Sequence, residues 1–128
     1  MQAKIVADSC CDLTDELKAS LRVSTVPLTM TLGTDSYTDD DTLDLPAFME
    51  SMRACKERIG SAAPAPGLFE EAFLGAEDVY AVTLSSNLSA SYSSAMIGKS
   101  LVESRGVRVH VFDSKSAYAG EALLIVKI

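Results

Sequence analysis

An apolar strand-like run, Val79 to Leu84, breaks off into a turn in which six of the twelve residues from Leu84 to Ala95 are serine, and a helical pattern comes next. That order of strand, small polar turn and helix recurs along the chain. Lys4 to Asp8 is a short buried strand with its turn at Ser9 to Asp12, and Val107, Val109 and Val111 alternate with Arg108, His110 and Phe112 in a last strand that closes at Asp113-Ser114. Strands alternating with helices this regularly predict an α/β fold of three layers, α/β/α, with a mostly parallel sheet between helices. The turns at Ser9, Ser85 and Ser114 then converge at one edge of the sheet, the carboxyl end, where open α/β folds bind ligands. Hydroxyls and free backbone N–H groups at that edge suit a carboxylate or a phosphate. Serine at a helix start serves equally well as an N-cap.

The segments between fill in the layers. Thr14 caps a helix with Asp15 and Glu16 in its first turn and Leu13, Leu17 and Leu21 recurring on one face. Val23 to Leu32 alternates with period two and contains Pro27, which cannot donate to a ladder, so the run predicts one edge strand. It turns at Gly33 to Ser36 into a short arm around Tyr37. Asp44 caps a second helix with Phe48, Met52 and Cys55 as its buried stripe. Gly60 to Gly67 holds two prolines, two glycines and no charge; as a linker it would be short and stiff, and as part of a site it would offer the Ser61 hydroxyl on a rigid backbone. A short helix begins at Leu68-Phe69, and the helix after the serine turn runs from about Ser89 to Ser104, stopping at Gly106.

Composition removes several functions. A chain of 128 residues makes one domain, residues 1–128, with a core large enough to need no metal or disulfide staple. Its net charge of -7 argues against nucleic acid or an anionic membrane surface as partner, since both demand a basic face. Three cysteines, with Cys10 and Cys11 adjacent, fit a reducing cytoplasm better than a disulfide framework. The start of the chain runs into strand-like sequence without a signal segment, and Ala122 to Val126 is too short an apolar stretch to span a bilayer. Asp39, Asp40, Asp41 and Asp44 lack the spacing of a calcium loop, so a solvated acidic turn and no metal is the reading there. The single histidine, His110, falls mid-strand opposite the valines and reads as a sheet-surface residue. Without a Gly-x-Ser-x-Gly elbow or a placed base, a serine hydrolase ranks last. A phosphate- or nucleotide-binding domain is the better rival, although neither Gly-x-Gly-x-x-Gly nor a Walker lysine is present.

Taken in order, Asp8-Ser9 with Asp12-Leu13, Val26-Pro27-Leu28, the proline loop from Ser61 to Pro66, the turn from Leu84 through Tyr92, and Asp113-Ser114-Lys115-Ser116-Ala117 resemble the DegV family over essentially the whole chain. The resemblance implies a bacterial fatty acid-binding protein. In that family an acyl chain is buried between two α/β domains, and its carboxylate is presented to a separate fatty acid kinase; the members are carriers, neither enzymes nor users of a cofactor. By position, Ser61 matches the first residue of the family's Thr-Ser-Gln-Pro-Ser-Pro loop, whose hydroxyl contacts the carboxylate. Ser85 and Ser86 match the paired serines of its Ser-Ser-x-Leu-Ser-Gly-Thr-Tyr turn, with Ser86 as the direct contact and Ser85 in support, and Ser89 completes the ligand-binding set. Ala62, Ala63, Ala65 and Ala90 replace the family's Ser, Gln, Ser and Gly.

Family chains are about twice as long, so the resemblance implies the N-terminal domain alone, with the second domain absent. Ser116 to Ile128 reads as a helix ending Leu123-Leu124-Ile125-Val126-Lys127-Ile128, without a glycine or proline stop. Apolar side chains there gain about 1.5–3 kcal/mol each on burial, so the segment is expected to find a partner, such as a second copy in a homo-oligomer.

Overall fold

The computed structural model describes residues 3–128. Its elements are, in chain order, β1 (Ala3–Asp8), α1 (Asp15–Leu21), β2 (Val23–Val26), β3 (Thr29–Leu32), β4 (Asp35–Thr38), α2 (Leu45–Ala54), β5 (Ile59–Ala62), α3 (Pro66–Phe73), β6 (Asp78–Thr83), α4 (Ser91–Glu103), β7 (Arg108–Asp113) and α5 (Ala119–Lys127). Four strands form a wholly parallel sheet in the order β2-β1-β6-β7, and three form an antiparallel sheet in the order β4-β3-β5.

The parallel sheet has helices on both faces. Val6, Val79, Ala81, Val107 and Val109 cluster with Phe69 and Phe73 of α3 and with Ala95 and Val102 of α4. Ala7 and Val82 meet Cys11, Leu13 and Ile125 on the other face, with Leu21 and Leu124 at the margin. This is the expected α/β/α sandwich. Thr14 caps α1 by accepting from the Leu17 N–H at 3.2 Å, yet α1 packs by its ends: Leu13 and Leu21 touch the core while Leu17 is exposed. His110 lies on the sheet surface, its ring stacked on Tyr80 at 5.4 Å.

The run from Val23 to Leu32 is two strands in two sheets, not one. β2 pairs with β1 up to Asp8↔Val26, and β3 pairs with both β4 and β5. Pro27 breaks the ladder because it has no N–H to give. The end of β1 bridges the gap: the Ser9 N–H donates to the Val26 carbonyl at 2.9 Å, and the Leu28 N–H donates to the Ser9 hydroxyl at 3.0 Å. The edge position holds for β2, whereas β3 is central in its own sheet. The start of the proline loop likewise folds as β5, with Ser61 opposite Met30. Two helices start later than their periodicity suggests, α4 at Ser91 and α5 at Ala119, because serine side chains first close local turns around them.

Candidate functional site

β1, β6 and β7 end side by side, and one carboxylate ties the turns after β1 and β6 together. Asp8, fully buried at the end of β1, accepts from the Leu84 N–H at 2.7 Å and from the Ser91 hydroxyl at 2.8 Å through one oxygen, and from the Cys10 N–H at 3.2 Å through the other. Both ends of the serine turn are therefore fixed to β1. Inside the turn the Ser85 carbonyl accepts from Leu88 and Ser89, and the Ser85 hydroxyl accepts from the Asn87 N–H at 3.2 Å. Ser89 accepts from the Ser91 N–H at 3.1 Å, which leaves its own hydroxyl proton to donate elsewhere. α4 begins at this point without a side-chain cap.

A cleft of about 760 Å³ opens above the turn, between the carboxyl end of the parallel sheet and the face of the antiparallel one. Leu28, Met30, Leu84 and Leu88 give it an apolar lining, and Ser61 from β5 and Ser89 from the turn bring hydroxyls into it from its two sides. Of the four serines singled out by sequence, these two line the cleft. Ser85 is buried in the turn with its N–H donated to the Ser116 carbonyl at 2.9 Å. Ser86 faces away toward Asp113: its N–H donates to Asp113 Oδ1 at 3.1 Å, and its hydroxyl, with that N–H, holds the Asp113 carboxyl below its usual range.

Among the described residues no lysine or arginine lines the cleft, and Asp39 is part of its lining. Cys10 also lines it, and its thiol is pushed up to about 12 by burial first and then by the Asp8, Glu121 and Asp39 carboxylates, so it stays protonated at neutral pH. Among the described residues no cluster of His, Cys, Asp and Glu could hold a metal ion, and no helix is long and apolar enough to cross a membrane.

Sequence reading missed Glu121, which is fully buried in α5. A signal was available. Glu121 stands four residues before Ile125, which is 1 % exposed, so helical spacing places both on the face toward the sheet.

The family model described as an uncharacterised protein of the DegV family matches residues 2–128. A DegV domain-containing protein of Streptococcus pyogenes serotype M3 is 38% identical over 132 residues, covering 100% of this chain and 47% of the relative. Among solved structures, a DegV family protein of Ruminococcus gnavus, refined with vaccenic acid, superposes with a TM-score of 0.91 at 36% identity, over 98% of this chain and 46% of that one. The fatty acid kinase B3 protein of Streptococcus pneumoniae, loaded with linoleic acid, superposes with a TM-score of 0.88 at 34% identity, over 99% and 47%. A DegV family protein of Eubacterium eligens loaded with heptadecanoic acid gives 0.88 at 28% identity, over 98% and 46%. The chain spans about half the length of the curated relatives it matches. Matched over residues 2–128 in sequence, and in fold to structures sharing more than a quarter of its residues, the chain belongs to the DegV family.

Proposed function

We propose that this chain forms the head-group half of a fatty acid-binding site, in which Ser61 and Ser89 donate to the carboxylate and the apolar lining receives the first part of the acyl chain. The observation that carries this reading is the pair of hydroxyls facing one cleft across Leu28, Met30, Leu84 and Leu88. Ser85 and Ser86 set the turn's shape. The fatty acids named with three relatives support the ligand class. A phosphate fits less well, because a doubly charged group beside Asp39 would lack any cation in this lining.

Magnitudes favour a shared site. Each hydroxyl bond to a carboxylate contributes about 1.5–3 kcal/mol, whereas burying ten methylenes is worth roughly 8 kcal/mol before the chain's ordering entropy. This half therefore selects the head group, and the remaining half of a full-length member would cover the chain. We propose that the protein works in the cytoplasm as a carrier, not an enzyme, handing its fatty acid to a fatty acid kinase, and that this segment self-associates through α5, where Leu123 and Val126 are exposed.

Calorimetric titration with oleate and with oleyl alcohol tests the site. Ser61→Ala and Ser89→Ala are each expected to weaken oleate binding about tenfold and alcohol binding much less, since only the charged hydrogen bond is removed. Ser86→Ala should stay close to the parent. If both cleft variants bind oleate as the parent does, the carboxylate lies elsewhere.

A further inference from the structure

Glu121 presents an unusual balance of groups. Its side chain is fully buried at the start of α5, and neither carboxyl oxygen has a hydrogen-bond partner that donates to it. The group that meets it is the Asp8 carboxylate at the end of β1, and the Tyr118 N–H approaches it from its own helix. The thiols of Cys10 and Cys11 lie in the turn after β1 within reach of its charge, with Lys18 of α1 acting on Cys11 and Asp39 on Cys10. Two adjacent buried carboxyls cannot both ionise cheaply. Asp8 already accepts three hydrogen bonds, so it is the acceptor of the pair, and the proton resides on Glu121.

We propose that Asp8 and Glu121 are positioning residues for the head-group site: a single proton held between them docks α5 on β1, while Asp8 fixes both ends of the serine turn, so that the serine turn and the Ala117–Tyr118 segment keep their places along the cleft. The pair reaches two segments that line the cleft from the sheet edge. Asp8 holds Leu84 and Ser91, which bracket Ser89, and Glu121 lies in the helix that follows Ala117 and Tyr118, a segment that also accepts the Ser85 N–H through the Ser116 carbonyl. Tyr118, immediately before α5, holds φ 53° and ψ -111°, a conformation seldom adopted by any residue but glycine. Such backbone persists only while its surroundings enforce it.

The proton sets a direction for pH. Burial first, and Asp8 second, push Glu121 from its ordinary 4.5 up to about 9. The native state therefore holds a proton that the unfolded chain has released, so the stability this group contributes is complete below its ordinary range and is lost progressively as pH rises through about 9. Above that value the two carboxylates repel across the β1–α5 contact.

The test rests on the fatty acid reading for its ligand but has a ligand-free arm. In the intact chain, the NMR amide shifts of Leu84 and Tyr118 are expected to follow one titration near the raised value, and to lose it in Glu121→Gln, whose amide donates to Asp8 without titrating. In parallel, oleate and oleyl alcohol affinities should both fall above that pH, by up to about tenfold per pH unit, and the fall should vanish in the variant. Flat amide shifts in the parent chain, or the same titration surviving in Glu121→Gln, would overturn the proposal. A fall for oleate alone would also overturn it, since that is charge repulsion without movement of the lining segments. If neither probe binds at neutral pH, the fatty acid reading fails while the amide shifts still decide the pair.

Discussion

At the scale of single residues, neighbours of identical chemistry take different work from their backbone surroundings. Ser85 and Ser89 lie four positions apart in one turn and each accepts one turn N–H, yet Ser85 is buried inside the turn while Ser89 lines the cleft. That division was hidden in the sequence, where the serine-rich run marked the place but could not say which hydroxyl the turn buries. Ser61 was easier to read, because a charge-free loop with two prolines leaves few polar groups to choose among. Cys10 gives a residue-level prediction. It lines the cleft, which suggests a reactive thiol, but burial and three nearby carboxylates push it up to about 12, and the thiolate is the nucleophile. Iodoacetamide near neutral pH should modify Cys10 far more slowly than a free cysteine in the same buffer, as read by peptide mass spectrometry. Rapid labelling of Cys10 in the folded chain would contradict that electrostatic picture.

At the scale of elements, β1, β6 and β7 of the parallel layer were legible because each carries its own signal: an apolar run or valine alternation, then a turn, then a helix. The antiparallel sheet was not. β3 and β2 share one unbroken period-two pattern, and only the missing N–H of Pro27 marks the passage from one sheet to the other. β5 carries almost no strand propensity in Ile59-Gly60-Ser61-Ala62 and forms through pairing with β3, a tertiary effect that local pattern cannot record. The contact of α3 with α4 depends on one position that composition alone leaves unremarked. A Cβ on Gly98 would stand 2.8 Å from Phe69 Cβ, 3.1 Å from the Glu70 backbone N and 3.2 Å from the Pro66 carbonyl oxygen. Two of those neighbours are main chain and cannot rotate aside. Gly98→Ala gains about 1 kcal/mol in helix propensity, but overpacking a fixed contact costs about 1–3 kcal/mol, so the clash should prevail. Urea unfolding should show a lower midpoint for Gly98→Ala; an equal or higher one would mean that the helices separate freely and the close contact is dispensable.

At the scale of the whole molecule, association is a contest between apolar surface and charge. Burial sorts the end of α5 residue by residue: Ile125 is 1 % exposed and Leu124 packs at the margin of the core, whereas Leu123 and Val126 are 73 % and 55 % exposed. The sequence shows the apolar run but not this division, which arises from the helical turn that sets Ile125 and Glu121 against the sheet. Two copies meeting through Leu123 and Val126 would bury apolar area, and each copy carries a net charge of -7 that opposes the approach. Salt shortens the reach of that repulsion to about 10 Å at 0.1 M and leaves apolar burial intact. Self-association is therefore expected to strengthen as salt is raised, the reverse of what an ion-paired interface does. Replacing Leu123 and Val126 together with lysine should return the chain to monomer at every salt concentration in sedimentation equilibrium, without the core damage that a change at Leu124 would bring. If the parent chain sediments as a monomer in high salt, or if the double variant keeps the parent's mass, the exposed face of α5 does not join two copies.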